Sequence, residues 1–219
     1  MNAFPLLQVS GITFSRGPQR LLAPITFTLQ RGEFVWLTGP SGAGKTTLLK
    51  ILASLLEPTA GEVRYNGQPQ TALSPEVWRQ RVSYVFQTPQ LFGTSVYDNL
   101  ALPYQIRQQP VPRARLAETL AWLNLPADLL DKAVDTLSGG EKQRVALLRN
   151  LQFPPEVLLL DEVTSALDEE NKHRVRQLIA QQAAAGVAVL WISHDREELN
   201  GGQRVLTLTA AGEEQHESA

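Results

Sequence analysis

The chain has 219 residues, 43% of them hydrophobic, and its 20 Lys and Arg against 22 Asp and Glu give a formal net charge of −2. That length suits one well-buried domain, and the mixed, nearly balanced charge leaves no basic face of the kind nucleic-acid binding requires. The absence of cysteine excludes a disulfide or a thiolate metal site.

The opening Met1-Asn2-Ala3-Phe4-Pro5 lacks a positive region followed by an apolar one, so no signal peptide is expected. Two patterned runs follow, Leu7 to Phe14 and Ile25 to Leu29. In the second, Ile25, Phe27 and Leu29 alternate with Thr26 and Thr28, as in a half-buried strand. Glu33 to Thr38 is a short, largely apolar strand that leads into a glycine-rich loop. Lys45 to Leu56 then reads as a helix with Leu48, Ile51, Leu52 and Leu55 on one face and Pro58 past its end. Glu62 to Tyr65 and Val82 to Phe86 are further predicted strands.

From Thr88 to about Thr136 the pattern is broken up by Pro89, Pro103, Pro110 and Pro112, with an amphipathic helix expected over Arg113 to Leu125. We read 88–136 as a helical lobe inserted in a single domain spanning 1–219. After it come a helix (Glu141 to Gln152), an apolar strand (Val157 to Leu160), a helix (Glu169 to Ala184) and a second apolar strand (Val187 to Ile192). Both apolar runs fall far below the ~20 residues of a membrane span, so a soluble chain is expected, with any membrane role exercised through a partner. Strands alternating with helices, some apolar throughout, predict an α/β fold with a parallel sheet covered on both faces.

Gly39-Pro40-Ser41-Gly42-Ala43-Gly44-Lys45-Thr46 is a complete G-x-x-x-x-G-K-[ST] phosphate loop, placed between strand and helix as the motif requires. Glycines let backbone N–H groups approach phosphates, and the helix N-terminus favours negative charge. Lys45 is expected to reach the β- and γ-phosphates and the Thr46 hydroxyl to coordinate Mg²⁺, with Thr47 completing the loop's nucleotide contacts. A chance glycine-rich turn would not put strand and helix in register. The strand ending in Asp161-Glu162 is a weak signal by itself, since acidic turn residues are common. Beside a phosphate loop it gives Asp161 the role of holding Mg²⁺ through water and Glu162 that of polarising the attacking water.

Ser138-Gly139-Gly140-Glu141 reads as a capping box, Ser138 at the N-cap and Glu141 at N3. Two glycines inside a cap also leave the helix end open to an anion, and the two roles are compatible.

The longer string Leu137 to Arg144 resembles the signature of ABC-type ATPases, in which Ser138, Gly139 and Gly140 contact the γ-phosphate held by an opposite subunit. Further segments share the resemblance in the same order. Val82 to Gln87 resembles the family's glutamine loop, which implies that Gln87 touches Mg²⁺ and the attacking water. Ser165-Ala166-Leu167-Asp168 resembles the loop at the dimer interface. Leu190 to Asp195 matches the segment carrying the switch histidine, which assigns His194 to the γ-phosphate and to orienting Glu162; His173 and His216 read as surface residues. Two departures stand out. Arg16 occupies the place where the family stacks an aromatic residue on adenine, with Phe14 two residues earlier, and a guanidinium plane can stack on a base. Glu141 replaces a common glutamine and keeps the capping box.

The resemblance implies a P-loop NTPase of the ABC type, with a mixed, mainly parallel sheet and an inserted helical lobe. It implies a homodimer closed around ATP and Mg²⁺, docked on separate integral membrane permease subunits at the cytoplasmic face of the inner membrane. No nucleic-acid partner is expected. The apolar Leu91, Phe92, Val96, Tyr97, Leu100, Tyr104 and Ile106 suit a permease contact, or, for about half of them, the lobe's own core. The alternative is a soluble ABC-type ATPase acting on ribosomes or DNA. Those members usually carry two ATPase domains in one chain or a long coiled coil, for which 219 residues are not expected to leave room. Within transporters, Gln87 to Gly93, Arg149 to Phe153 and Ser165 to His173 resemble the ATP-binding subunits of bacterial iron exporters.

Overall fold

The two opening runs pair as an antiparallel hairpin that turns at Gly17 (φ +59°). The computed structural model describes residues 4–193, 199 and 202–210. One compact unit comprises the described residues up to Tyr84, Glu156–Glu162 and those from Ala183 on; the other comprises Val85–Pro155 and Val163–Gln182.

In chain order the first unit holds β1 (Leu7–Arg16), β2 (Gln19–Leu29), β3 (Phe34–Thr38), α1 (Lys45–Leu52), β4 (Ala60–Tyr65), β5 (Gln68–Pro69), α2 (Pro75–Arg81), all but the last residue of β6 (Val82–Val85), β7 (Val157–Asp161), β8 (Ala188–Ile192) and β9 (Arg204–Thr207). The strands divide into an antiparallel sheet, order β2-β1-β4-β5, and a second sheet, order β6-β7-β8-β3-β9, in which β7, β8, β3 and β9 pair in parallel. Every residue of β7 and β8 is buried, which is why both read as unbroken apolar runs. β2 starts at Gln19 rather than at Ile25. Pro24, which argues against a strand, is tolerated because β2 lies at the sheet edge.

α1 stops at Leu52, short of the expected Leu56. Ser54 adopts φ +56°, Leu55 N donates to Lys50 O (2.9 Å) and Ser54 N to Ile51 O (3.0 Å), a left-handed closure without the usual glycine. The Trp78 indole of α2 donates to Leu52 O (2.8 Å). α2 gave no sequence signal because Trp78 is its one buried side chain, so no apolar period exists to read. Leu48, Leu49, Ile51 and Leu52 of α1 join Val63, Tyr65, Trp78, Leu159 and Leu190 in a core shared by both sheets.

The second unit contains α3 (Val96–Ile106), α4 (Arg113–Ala121), α5 (Gly139–Leu151) and most of α6 (Glu169–Ala184). Pro103 does not interrupt the chain as expected; it lies inside α3. A capping box fixes the start of that helix. Ser95 Oγ accepts from Asp98 N (3.1 Å), and Asp98 accepts from the backbone N–H groups of Ser95 and Thr94 (2.9 Å each). Burial of Val96, Leu100 and Tyr104 holds its inner face. Of the seven apolar residues set between core and partner surface, these three are core, whereas Phe92 and Ile106 are 52% and 62% exposed. The segment carrying Phe92 is tied down. Asn99, fully buried, accepts from Phe92 N (2.8 Å) and donates to Phe92 O (2.7 Å), and Arg149 donates to Gln90 O (2.8 Å). Among the described residues, no helix is long and apolar enough to cross a membrane.

Candidate active site

The loop from β3 into α1 takes its shape from two close approaches. Gly39 (φ +140°) lies so near the Leu208 carbonyl that a Cβ has no room, and a Cβ on Gly44 (φ +91°) would stand 2.5 Å from Leu21 O. Gly44 caps α1 without a side-chain bond, and no acid lies in the first turn, so the first N–H groups of α1 remain available to an anion. Lys45 folds back over the loop, its ammonium donating to Gly39 O (2.8 Å) and Pro40 O (3.0 Å). Burial pushes the Lys45 ammonium below its ordinary pKa, and the Glu162 and Asp161 carboxylates act against that shift.

Asp161, 2% exposed, ends β7. Its Oδ1 accepts from Thr46 Oγ1 (3.1 Å) and its Oδ2 from Tyr84 Oη (2.6 Å). Burial, followed by the bond to Asp161 and that residue's charge, pushes the Tyr84 phenol far up, so it stays a donor. Glu162 follows in the left-handed region (φ +48°), uncommon for a non-glycine residue. It lines a cleft of ≈ 300 Å³ with Leu21, Ser41, Gly42, Gly44, Lys45, Thr46 and Thr47. The Thr46 hydroxyl and the Asp161 carboxylate are hard oxygen donors beside a phosphate loop. This set fits Mg²⁺, which takes one or two carboxylates together with phosphate oxygens and water. No group of three or more His, Cys, Asp or Glu gathers among the described residues, and such a cage is not what Mg²⁺ at a phosphate site needs.

In the second unit, Ser138 Oγ accepts from Glu141 N (3.2 Å) and Glu141 accepts from Ser138 N (2.8 Å), which completes the capping box. These bonds, the backbone one first, hold the Glu141 carboxyl below its ordinary range. Ser138 and Gly139 are exposed, and a Cβ on Gly139 would meet nothing within 4 Å; one on Gly140 would stand 3.2 Å from Leu167 Cδ2. The last residues of the signature string build the unit. Gln143 donates to Phe86 O (3.2 Å), and Arg144 donates to Leu123 O (2.9 Å) and Asn171 Oδ1 (2.7 Å).

Lys45, Thr46, Asp161 and Glu162 thus gather at the phosphate loop, and Ser138, Gly139 and Gly140 at the open end of α5. Gln87 is exposed in the second unit, just past β6. Arg16 is exposed at the hairpin turn, outside the lining of the cleft, and Phe14 packs on the core. His194 lies outside the described residues. Sequence reasoning missed Leu21, which carries no motif, and Tyr84. For Tyr84 the signal was available: a tyrosine in a buried strand needs a partner for its hydroxyl.

Residues 22–165 match the ABC transporter family model. The chain is 50% identical over 213 residues to the probable iron export ATP-binding protein FetA of Escherichia coli K12, covering 96% of this chain and 95% of that protein. It is 36% identical over 215 residues to the mycobactin import ATP-binding/permease protein IrtB of Mycolicibacterium thermoresistibile; that covers 95% of this chain and 37% of the longer relative. Among solved structures, a dimeric, post-hydrolysis ATP-binding cassette bound to ADP and Pi superposes with a TM-score of 0.84 at 28% identity, over 95% of this chain and 98% of that one.

Proposed function

The chain belongs to the ABC transporter family as an ATP-hydrolysing subunit, and from that premise we propose a homodimer closing around ATP and Mg²⁺ to drive a separate membrane permease. The observation that carries the hydrolytic reading is the placement of Asp161 and Glu162 at the tip of β7, with Asp161 bonded to Thr46 and Glu162 in the cleft of Lys45. In this reading the loop Gly39 to Thr47 binds the phosphates, Lys45 offsets their charge, Thr46, Asp161 and Gln87 hold the metal, and Glu162 with His194 directs water. Bound Mg²⁺ would neutralise charge developing on the transferred phosphoryl group. Arg16 would stack on the base, and residues 88–136 would form the inserted lobe of a single domain.

The open α5 end supports the dimer. Gly139 has free space around it and a capped N-terminus behind it, as a backbone that meets a second subunit's nucleotide requires. The expected result for Gly139→Ala is unchanged or higher thermal stability, since Ala gains up to ~1 kcal/mol in a helix. ATP turnover should nevertheless fall by about 10²-fold, the cost of disturbing one oxyanion-type donor. Circular dichroism melts and phosphate release check the two halves of this result.

Iron is the proposed cargo, on the likeness to an iron export ATP-binding protein along nearly the whole chain. The proposed station is the cytoplasmic face of the inner membrane. The test is to express tagged Glu162→Gln protein in its native cells and capture it with ATP and Mg²⁺ from solubilised membranes. A stoichiometric polytopic membrane protein is expected. Ribosomal proteins, DNA-repair factors or no partner would overturn the transport reading.

A further inference from the structure

We propose that Tyr84 is a positioning residue for the metal, fixing which oxygen of Asp161 is available to Mg²⁺; this rests on the reading of the site as one for ATP and Mg²⁺. Asp161 is almost fully buried, where an unpaired carboxylate oxygen is costly. Its two oxygens are divided between two hydroxyls of different capacity. Thr46 Oγ1 donates to Oδ1 and retains lone pairs, so the same hydroxyl can bond the carboxylate and offer its oxygen to a cation.

Tyr84 Oη donates to Oδ2 from β6, the strand next to β7 in the sheet, at a position only 8% exposed. The phenol holds that oxygen toward the β6 side. Two bonds to opposite oxygens fix the carboxylate torsion and leave Oδ1, on the Thr46 side, as the oxygen that faces the metal site. Without the phenol, Oδ2 is left unsatisfied and the carboxylate can turn away from Thr46. An outer partner of this kind sets the aim of a metal ligand without touching the ion.

Tyr84→Phe removes the hydroxyl and keeps the ring. The test is binding of a fluorescent ATP analogue to the whole protein across a Mg²⁺ titration and again in EDTA. The Mg²⁺ midpoint is expected to rise about tenfold, in the range of lost outer-shell partners, with affinity in EDTA unchanged. In an Asp161→Asn background the same substitution is expected to leave the midpoint where it is. An unchanged or lower midpoint in Tyr84→Phe, an equal loss with and without Mg²⁺, or an effect that persists in Asp161→Asn would each overturn the proposal. Wild-type protein that bound the nucleotide with no Mg²⁺ dependence would overturn the underlying reading instead.

Discussion

Glu162→Gln is expected to lower ATP turnover by about 10²–10⁴-fold, the range for losing a general base, which is the role proposed for Glu162, while ATP binding is retained. The amide matches the carboxylate in size, and Gln bears the left-handed backbone at φ +48° no worse than Glu does, so the fold should survive. The groups proposed to hold the phosphates should stay in place, because Lys45 is bonded to the Gly39 and Pro40 carbonyls and Thr46 to Asp161, and none of these hydrogen bonds involves Glu162. What disappears is the cleft-lining carboxylate of Glu162, the group proposed to take a proton from water. With hydrolysis blocked and binding intact, the proposed ATP-bound dimer should accumulate, since in that reading ATP would have contacts in the closed pair that the open one lacks. Phosphate release and sedimentation velocity measure the two effects. A variant that stayed monomeric at saturating ATP would refute the shared site.

The parts of this site that could be read in the sequence are those whose chemistry demands a local pattern. A phosphate loop needs glycines at fixed spacing between a strand and a helix, and β7 needs an unbroken apolar run because both of its faces are covered. The capping box at Ser138 was legible for the same reason: its two bonds span only three residues. The parts that were not legible depend on distant residues. Leu21 reaches the cleft because its carbonyl packs against Gly44, a contact no local pattern records. α3 runs through Pro103 because burial of Leu100 and Tyr104 and the Asp98 cap outweigh a local breaker. β9, missed altogether, is short and takes its place by pairing with β3.

Gly44→Ala is expected to abolish ATP binding and to destabilise the protein by at least the ~1–3 kcal/mol of a residue forced into a sparsely populated backbone region. The strain at φ +91° is only part of the cost. The added Cβ would stand 2.5 Å from Leu21 O and 3.0 Å from Leu22 Cδ1, and Leu22 is fully buried in the core. β2 is paired to β1 at Leu22 and can yield little, so the loop must move. Gly44 is the N-cap of α1 and precedes Lys45, so its displacement carries the ammonium off the Gly39 and Pro40 carbonyls and reorients the helix N–H groups that would receive the phosphates. Gly42→Ala separates strain from collision, because Gly42 also has a left-handed backbone (φ +82°) but its Cβ would meet nothing within 4 Å. It should cost strain alone and melt above Gly44→Ala. Equal melting temperatures and equal nucleotide affinities for the two variants would mean that the Leu21 contact does not shape the loop.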